Sequence, residues 1–107
     1  MLYVDINKQN FEQEVLKSDD LVVLKFYGTW CGPCRMQSAI FSEITESKYD
    51  KIKIAEVDVD SNEELCKEFG IMSVPTMIFF KDGAEIDKVV GFRNLAQSKQ
   101  LFDQYMW

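Results

Sequence analysis

The sequence predicts an α/β fold, a central mixed five-stranded sheet flanked by four helices, and three observations lead to it. Strand-like and helix-like segments alternate along most of the chain, the pattern of a largely parallel sheet covered by helices. One apolar run, Leu21 to Tyr27, is broken only by Lys25, as suits a central strand buried on both faces. Two late strand-like segments are joined by Lys81-Asp82-Gly83, a hairpin signal that adds antiparallel pairing at one edge. The 107 residues, 47% of them apolar, suit one domain over 1–107 with one continuous core.

Taken in order, Leu2 to Asp5 reads as a short strand. Asn7 can cap a helix through about Lys17, with Phe11 and Val15 one turn apart on its inner face. After the Leu21–Tyr27 strand, a helix is expected from about Pro33 to Ser47, its inner stripe being Met36, Ile40 and Ile44 at i, i+4 and i+8. Ile52 to Val59 is a further strand. Ser61 and Glu64 have capping-box spacing and open a helix through Phe69, stopped by Gly70. Thr76 to Phe80 and Ile86 to Val90 form the hairpin. Asn94 and Gln97 cap a last helix that carries Leu95, Leu101, Phe102 and Tyr105 inward, with Met106 and Trp107 as its loosely packed end.

Composition excludes several functions. The chain has 18 acidic and 12 basic residues, a net charge of −6, which argues against binding nucleic acid through its phosphates and against an anionic membrane surface. No stretch approaches the roughly 20 apolar residues of a membrane helix. The start, MLYVDINKQN, lacks the basic and apolar regions of a signal peptide, so a cytoplasmic setting is expected. Histidine is absent, which rules out Ser-His-Asp triads, Cys-His pairs and histidine-ligated metals. Proton transfer near neutral pH then falls to a carboxylate, a lysine, a thiol or water.

The chemistry concentrates at YGTWCGPCRM, residues 27–36. Gly28 and Thr29 end a strand and Pro33 suits a first helical turn, so Cys31 falls at a helix N-terminus with Cys34 three residues on. Positions i and i+3 share a face, about 5 Å apart at Cα, within disulfide range. Free backbone N–H groups and the positive end of the helix dipole favour a thiolate at Cys31, the form that attacks disulfides, and Cys34 is placed to resolve the mixed disulfide. A zinc site is the competing reading. It wants four ligands, and Cys66 is the one remaining cysteine, so neither a metal nor another cofactor is expected.

WCGPC, together with VPT at 74–76 and the glycines Gly83 and Gly91, resembles the thioredoxin family over essentially the whole chain. The resemblance implies reduction of protein disulfides, with a thioredoxin reductase and disulfide-containing target proteins as partners and the chain acting as a monomer. It makes Cys31 the attacking thiol, Cys34 the buried resolving thiol and Pro75 a cis-proline facing the disulfide. It also makes Trp30, Gly32, Pro33, Val59, Val74, Pro75, Gly91 and Phe92 a shallow apolar binding surface, with the Val74 backbone bonding the substrate. Gly-Pro between the cysteines resembles the reducing members of the fold; oxidising and isomerising members commonly carry histidine there.

The sequence also departs from that pattern. Where most members have a buried aspartate six residues before the first cysteine, this chain has Lys25, and the matching position on the neighbouring strand, often lysine, is Glu56. The two charges are exchanged. Either Lys25 stays charged against Glu56, or burial depresses its pKa and the pair moves the proton of the resolving thiol, with Glu56 as the base. The competing possibility is that Lys25 snorkels to solvent and Glu56 is a surface charge. Tyr27 stands where a second tryptophan is common, Arg35 where lysine is usual, and Ala39 where a proline often kinks the helix. Cys66 reads as a small packed hydrophobe, and Asp60 either holds the Trp30 indole N–H or is a solvated acid.

Overall fold

A computed structural model describes residues 1–106. β1 (Leu2–Asp5), β2 (Val22–Tyr27), β3 (Lys53–Asp58), β4 (Thr76–Lys81) and β5 (Ala84–Val90) form one sheet in the order β1-β3-β2-β4-β5. β3 pairs in parallel with β1 and β2, while β4 runs antiparallel to both β2 and β5. β2 is thus central, and its near-continuous burial and that of β4 follow from helices on both faces. The helices are α1 (Glu12–Leu16, π-helical), α2 (Gly32–Ser42), α3 (Glu63–Glu68) and α4 (Leu95–Tyr105). Among the described residues, no helix is long and apolar enough to cross a membrane.

Side chains alternate across a strand, so the sheet splits the core in two. Val23, Ile54, Met77 and Phe79 pack with Phe41 of α2 and Phe102 of α4. Val22, Leu24, Phe26, Val57, Ile78 and Phe80 pack with Val15 of α1 and Leu65 of α3. Lys25 shares the parity of Val23 and so enters the α2–α4 side. It lies in register with Glu56 on β3 and Met77 on β4.

Four helix expectations are corrected by local hydrogen bonding and packing. Asn7 caps the turn that leads into α1 and not α1 itself: its Oδ1 accepts the N–H groups of Gln9 and Asn10 at 2.8 and 3.0 Å and its carbonyl the Phe11 N–H at 3.1 Å, while α1 starts at Glu12 with Phe11 as its N-cap. α2 stops at Ser42, and Ser47–Tyr49 form a separate 3-10 turn. At that end the Glu43 and Ile44 N–H groups bond the carbonyls three residues back, Ile40 at 3.1 Å and Phe41 at 3.0 Å, a tightened last turn that closes the helix while Ile44 still enters the core. The buried face of α2 is Cys34, Gln37 and Phe41, while Met36 is 55% exposed. Ser61 forms no capping box. Asn62 precedes α3 and spends its side chain on the Asp58 carbonyl at 2.9 Å.

The other end signals hold. α3 closes with Gly70 N–H on Lys67 O and Ile71 N–H on Cys66 O, the paired bonds of a Schellman end. The Asn94–Gln97 capping box on α4 is complete. The hairpin turns at Asp82 and Gly83, both with positive φ (51° and 80°), as a two-residue type I′ loop requires. Phe102 is buried, and Leu95, Leu101, Tyr105 and Met106 pack against the same cluster; Trp107 lies outside the described residues.

Candidate active site

β2 delivers Gly28 and Thr29 to the N-terminus of α2, where Cys31 is the N-cap and Pro33 sits in the first turn. Cys31 and Cys34 are joined as a disulfide with their Cα atoms 5.3 Å apart. The Cys34 N–H donates to Cys31 Sγ at 3.2 Å, the interaction that stabilises a thiolate there once the bond is reduced. Cys31 is 5% exposed and Cys34 2%, so both sulfurs are buried in the disulfide form.

Three walls surround the disulfide. On one, Trp30 is 64% exposed, and its ring lies so close over Gly28 that a Cβ there would sit 2.6 Å from Cε2. Its Nε1–H donates to Asp60 Oδ2 at 2.9 Å, which settles the role of Asp60. On the second, the Val74–Pro75 peptide is cis, Pro75 is buried, and the Val74 carbonyl oxygen stands 3.8 Å from Cys31 Sγ. On the third, the Gly91 N–H donates to the Pro75 carbonyl at 2.8 Å, which brings Gly91 and Phe92 to the site. Trp30, Val59 and Val74 line a hollow of about 320 Å³ together with Cys66, Ile71 and Met72. Met72, 94% exposed, is an apolar contributor that no periodicity marks, because it lies in a loop.

Cys66 is half-buried, with Sγ 3.9 Å from the Val59 carbonyl. Burial, then Glu63, Asp58 and Asp60, push its thiol pKa up, which keeps it in the unreactive protonated form. Among the described residues no cluster of acids and cysteines is arranged to hold a metal ion.

Lys25 does not snorkel. Its side chain is 1% exposed, and Nζ lies 3.5 Å from Glu56 Oε2, itself 24% exposed. Nζ also donates to Ser38 Oγ, one helical turn beyond Cys34, and the rings of Tyr27 and Phe41 stand 5.8 and 6.0 Å from it. Desolvation lowers the Lys25 pKa, and Glu56 opposes that through its charge and its hydrogen bond. The exchanged charges therefore form a real pair beneath the redox helix.

The thioredoxin family model matches residues 3–104. The thioredoxin of Listeria monocytogenes is 38% identical over 102 residues, covering 95% of this chain and 97% of that protein. A bifunctional thioredoxin reductase/thioredoxin of Mycobacterium leprae is 36% identical over 93 residues, 87% of this chain and 20% of that protein. The solved thioredoxin of Malassezia sympodialis superposes with a TM-score of 0.83 at 36% identity, covering 98% of this chain and 90% of that one. With the cysteine pair at disulfide distance on a matching fold, the chain belongs to the thioredoxin family of dithiol–disulfide oxidoreductases.

Proposed function

We propose that the chain reduces disulfides in target proteins, is itself re-reduced by a thioredoxin reductase, and works in the cytoplasm. The observation that carries this reading is the Cys31-Gly32-Pro33-Cys34 disulfide at the N-terminus of α2, flanked by Trp30 and Val74, which line an apolar hollow. The fusion of the two activities in the Mycobacterium leprae relative supports a reductase as partner.

In the reduced state the Cys31 thiolate attacks a target sulfur. That step releases one target thiolate and forms a mixed disulfide. Cys34 gives up its proton and attacks Cys31 Sγ; the second target thiolate leaves, and two electrons have passed to the target. Trp30, Gly32, Pro33, Val59, Val74, Pro75, Gly91 and Phe92 are assigned to hold the target segment, and the Val74 backbone to bond it.

Glu56 is assigned as the base for Cys34. Lys25 is bonded to Glu56 and to Ser38, one turn beyond Cys34 on α2, and is assigned as the relay that gives a proton to the carboxylate as it takes one from the thiol. Glu56→Gln is expected to slow reduction of a protein disulfide at pH 7 by about tenfold, below the roughly 10²–10⁴-fold of a general base in direct contact, because Glu56 acts through Lys25. Stopped-flow rates across pH check this, and rates equal to wild type at every pH would reject the assignment.

A further inference from the structure

Gln37 is fully buried, at 0% exposure, on the inner face of α2, three residues after Cys34. Apolar side chains dominate that face, and a buried amide is costly unless every polar atom finds a partner. Here they do. Gln37 Oε1 accepts the Arg93 N–H at 2.8 Å, and Nε2 donates to the Arg93 carbonyl at 3.1 Å and to Ser98 Oγ at 3.3 Å. Ser98, 1% exposed, donates its own hydroxyl to the same Arg93 carbonyl at 3.2 Å. The amide thus pairs with one residue's N–H and C=O as a neighbouring strand would.

Arg93 passes this anchorage on. Its Nη1 lies within hydrogen-bond distance of three carbonyls, Val90 at 3.2 Å, Gly91 at 3.4 Å and Phe92 at 3.1 Å, so the guanidinium closes the 90–93 loop on itself. The loop is then joined to the cis-proline by the Gly91 N–H on the Pro75 carbonyl. A continuous run of hydrogen bonds therefore leads from the redox helix through Gln37 and Arg93 to Pro75. It bypasses the disulfide and fixes the loop that carries Gly91 and Phe92.

We propose that Gln37 is a positioning residue for target binding, holding the Gly91–Phe92 wall in register with the Cys31–Cys34 disulfide. The proposal rests on the reading that Gly91 and Phe92 contact the target. Its effect falls on recognition of an extended protein segment more than on sulfur chemistry, because Gln37 makes no bond to either cysteine.

The test replaces Gln37 by methionine, which has similar length and no amide. Insulin is the protein disulfide, dithiothreitol the reductant and Ellman's reagent a small disulfide too short to need the wall. KM for insulin is expected to rise about fivefold with kcat within about twofold, since a loosened wall adds an ordering cost to binding. The loss in kcat/KM on insulin exceeds that on Ellman's reagent, and hydrogen exchange at the Arg93 amide quickens. Should Gln37→Met fold poorly, Ser98→Ala removes only the third member of the cluster and gives the same sign, with KM up about twofold. Phe92→Ala separates the premise from the inference. A raised KM for Phe92→Ala beside an unchanged KM for Gln37→Met overturns the role of Gln37 alone. An unchanged KM for Phe92→Ala overturns the wall and the inference with it. Equal losses on both disulfides would make Gln37 a merely structural residue and also overturn the proposal.

Discussion

Cys31→Ser is expected to lower reduction of a protein disulfide by at least roughly 10³-fold, because a serine hydroxyl is scarcely ionised at pH 7 and is a far poorer nucleophile toward sulfur than a thiolate. Cys34→Ser should behave differently. Cys31 keeps its place at the α2 N-terminus, so the first attack proceeds, and with no second sulfur to resolve it the mixed disulfide accumulates. Non-reducing electrophoresis and intact mass measurement would find the target bound one to one through Cys31. The asymmetry is the informative part. If Cys31→Ser trapped targets and Cys34→Ser did not, the two sulfurs would have the reverse roles. If neither variant lost activity, the disulfide would be structural.

The second large effect concerns the buried ion pair. Lys25 is 1% exposed and has one carboxylate, one hydroxyl and two ring faces around it. Replacing a buried pair by apolar or neutral groups of similar volume is commonly neutral or stabilising by about 1–4 kcal/mol, because neither charge then has to leave water. Lys25→Met with Glu56→Gln is expected to stabilise the fold by about 2 kcal/mol at pH 7, on that basis. The methionine sulfur would rest against Tyr27 and Phe41, a favourable contact. Chemical denaturation at fixed ionic strength checks the value, and a loss of stability would show that the pair contributes more than it costs.

The same comparison has a sign in pH. The folded-state pKa of Lys25 lies below its ordinary value near 10.5. Between those two values the unfolded chain binds more protons than the folded one, so the Lys25 contribution to stability rises with pH. Wild type should therefore close its gap to the double variant as pH climbs from neutral towards 10. Tyr3, Tyr27, Tyr49 and Tyr105 have raised pKa values and work in the opposite direction above 10, but they are present in both proteins and largely cancel. A gap that stays constant or widens would mean that Lys25 is not disfavoured as a cation by burial.

Much of this was legible in the sequence because the strongest signals are local. The continuous apolar run around Lys25, the Asp82-Gly83 turn and the Asn94–Gln97 box each fold by short-range rules, and all three stand as expected. The cysteine pair was legible for the same reason, since i, i+3 spacing at a helix start determines its geometry. The inner face of α2 was misread because Gln37 is polar and Met36 is not. Periodicity weighs apolarity, and nothing local says that a buried glutamine will find the backbone of Arg93, 56 positions on. The end of α2 has no residue-type signal, since no glycine or proline follows Ser42 up to Ser47, and the stop lies in the i to i−3 bonds of Glu43 and Ile44. Lys25 and Glu56 could be paired from their positions on adjacent strands, but Ser38 as the third partner appears only once α2 is laid over the sheet.

The central claim is that a Gly-Pro dithiol with an exchanged ion pair beneath it remains a reductant. Lys25 carries its counter-charge with it, so the pair adds little net field at the sulfurs, and no histidine is present to favour the thiolate form. The direct measurement is the equilibrium potential of the Cys31–Cys34 couple in glutathione or dithiothreitol buffers at pH 7. A potential close to about −270 mV, the general figure for thioredoxins, is the expected result. A potential near the range of disulfide isomerases and oxidases, about −180 to −120 mV, would mean that the buried cation stabilises the reduced thiolates, and the reductase reading would fall.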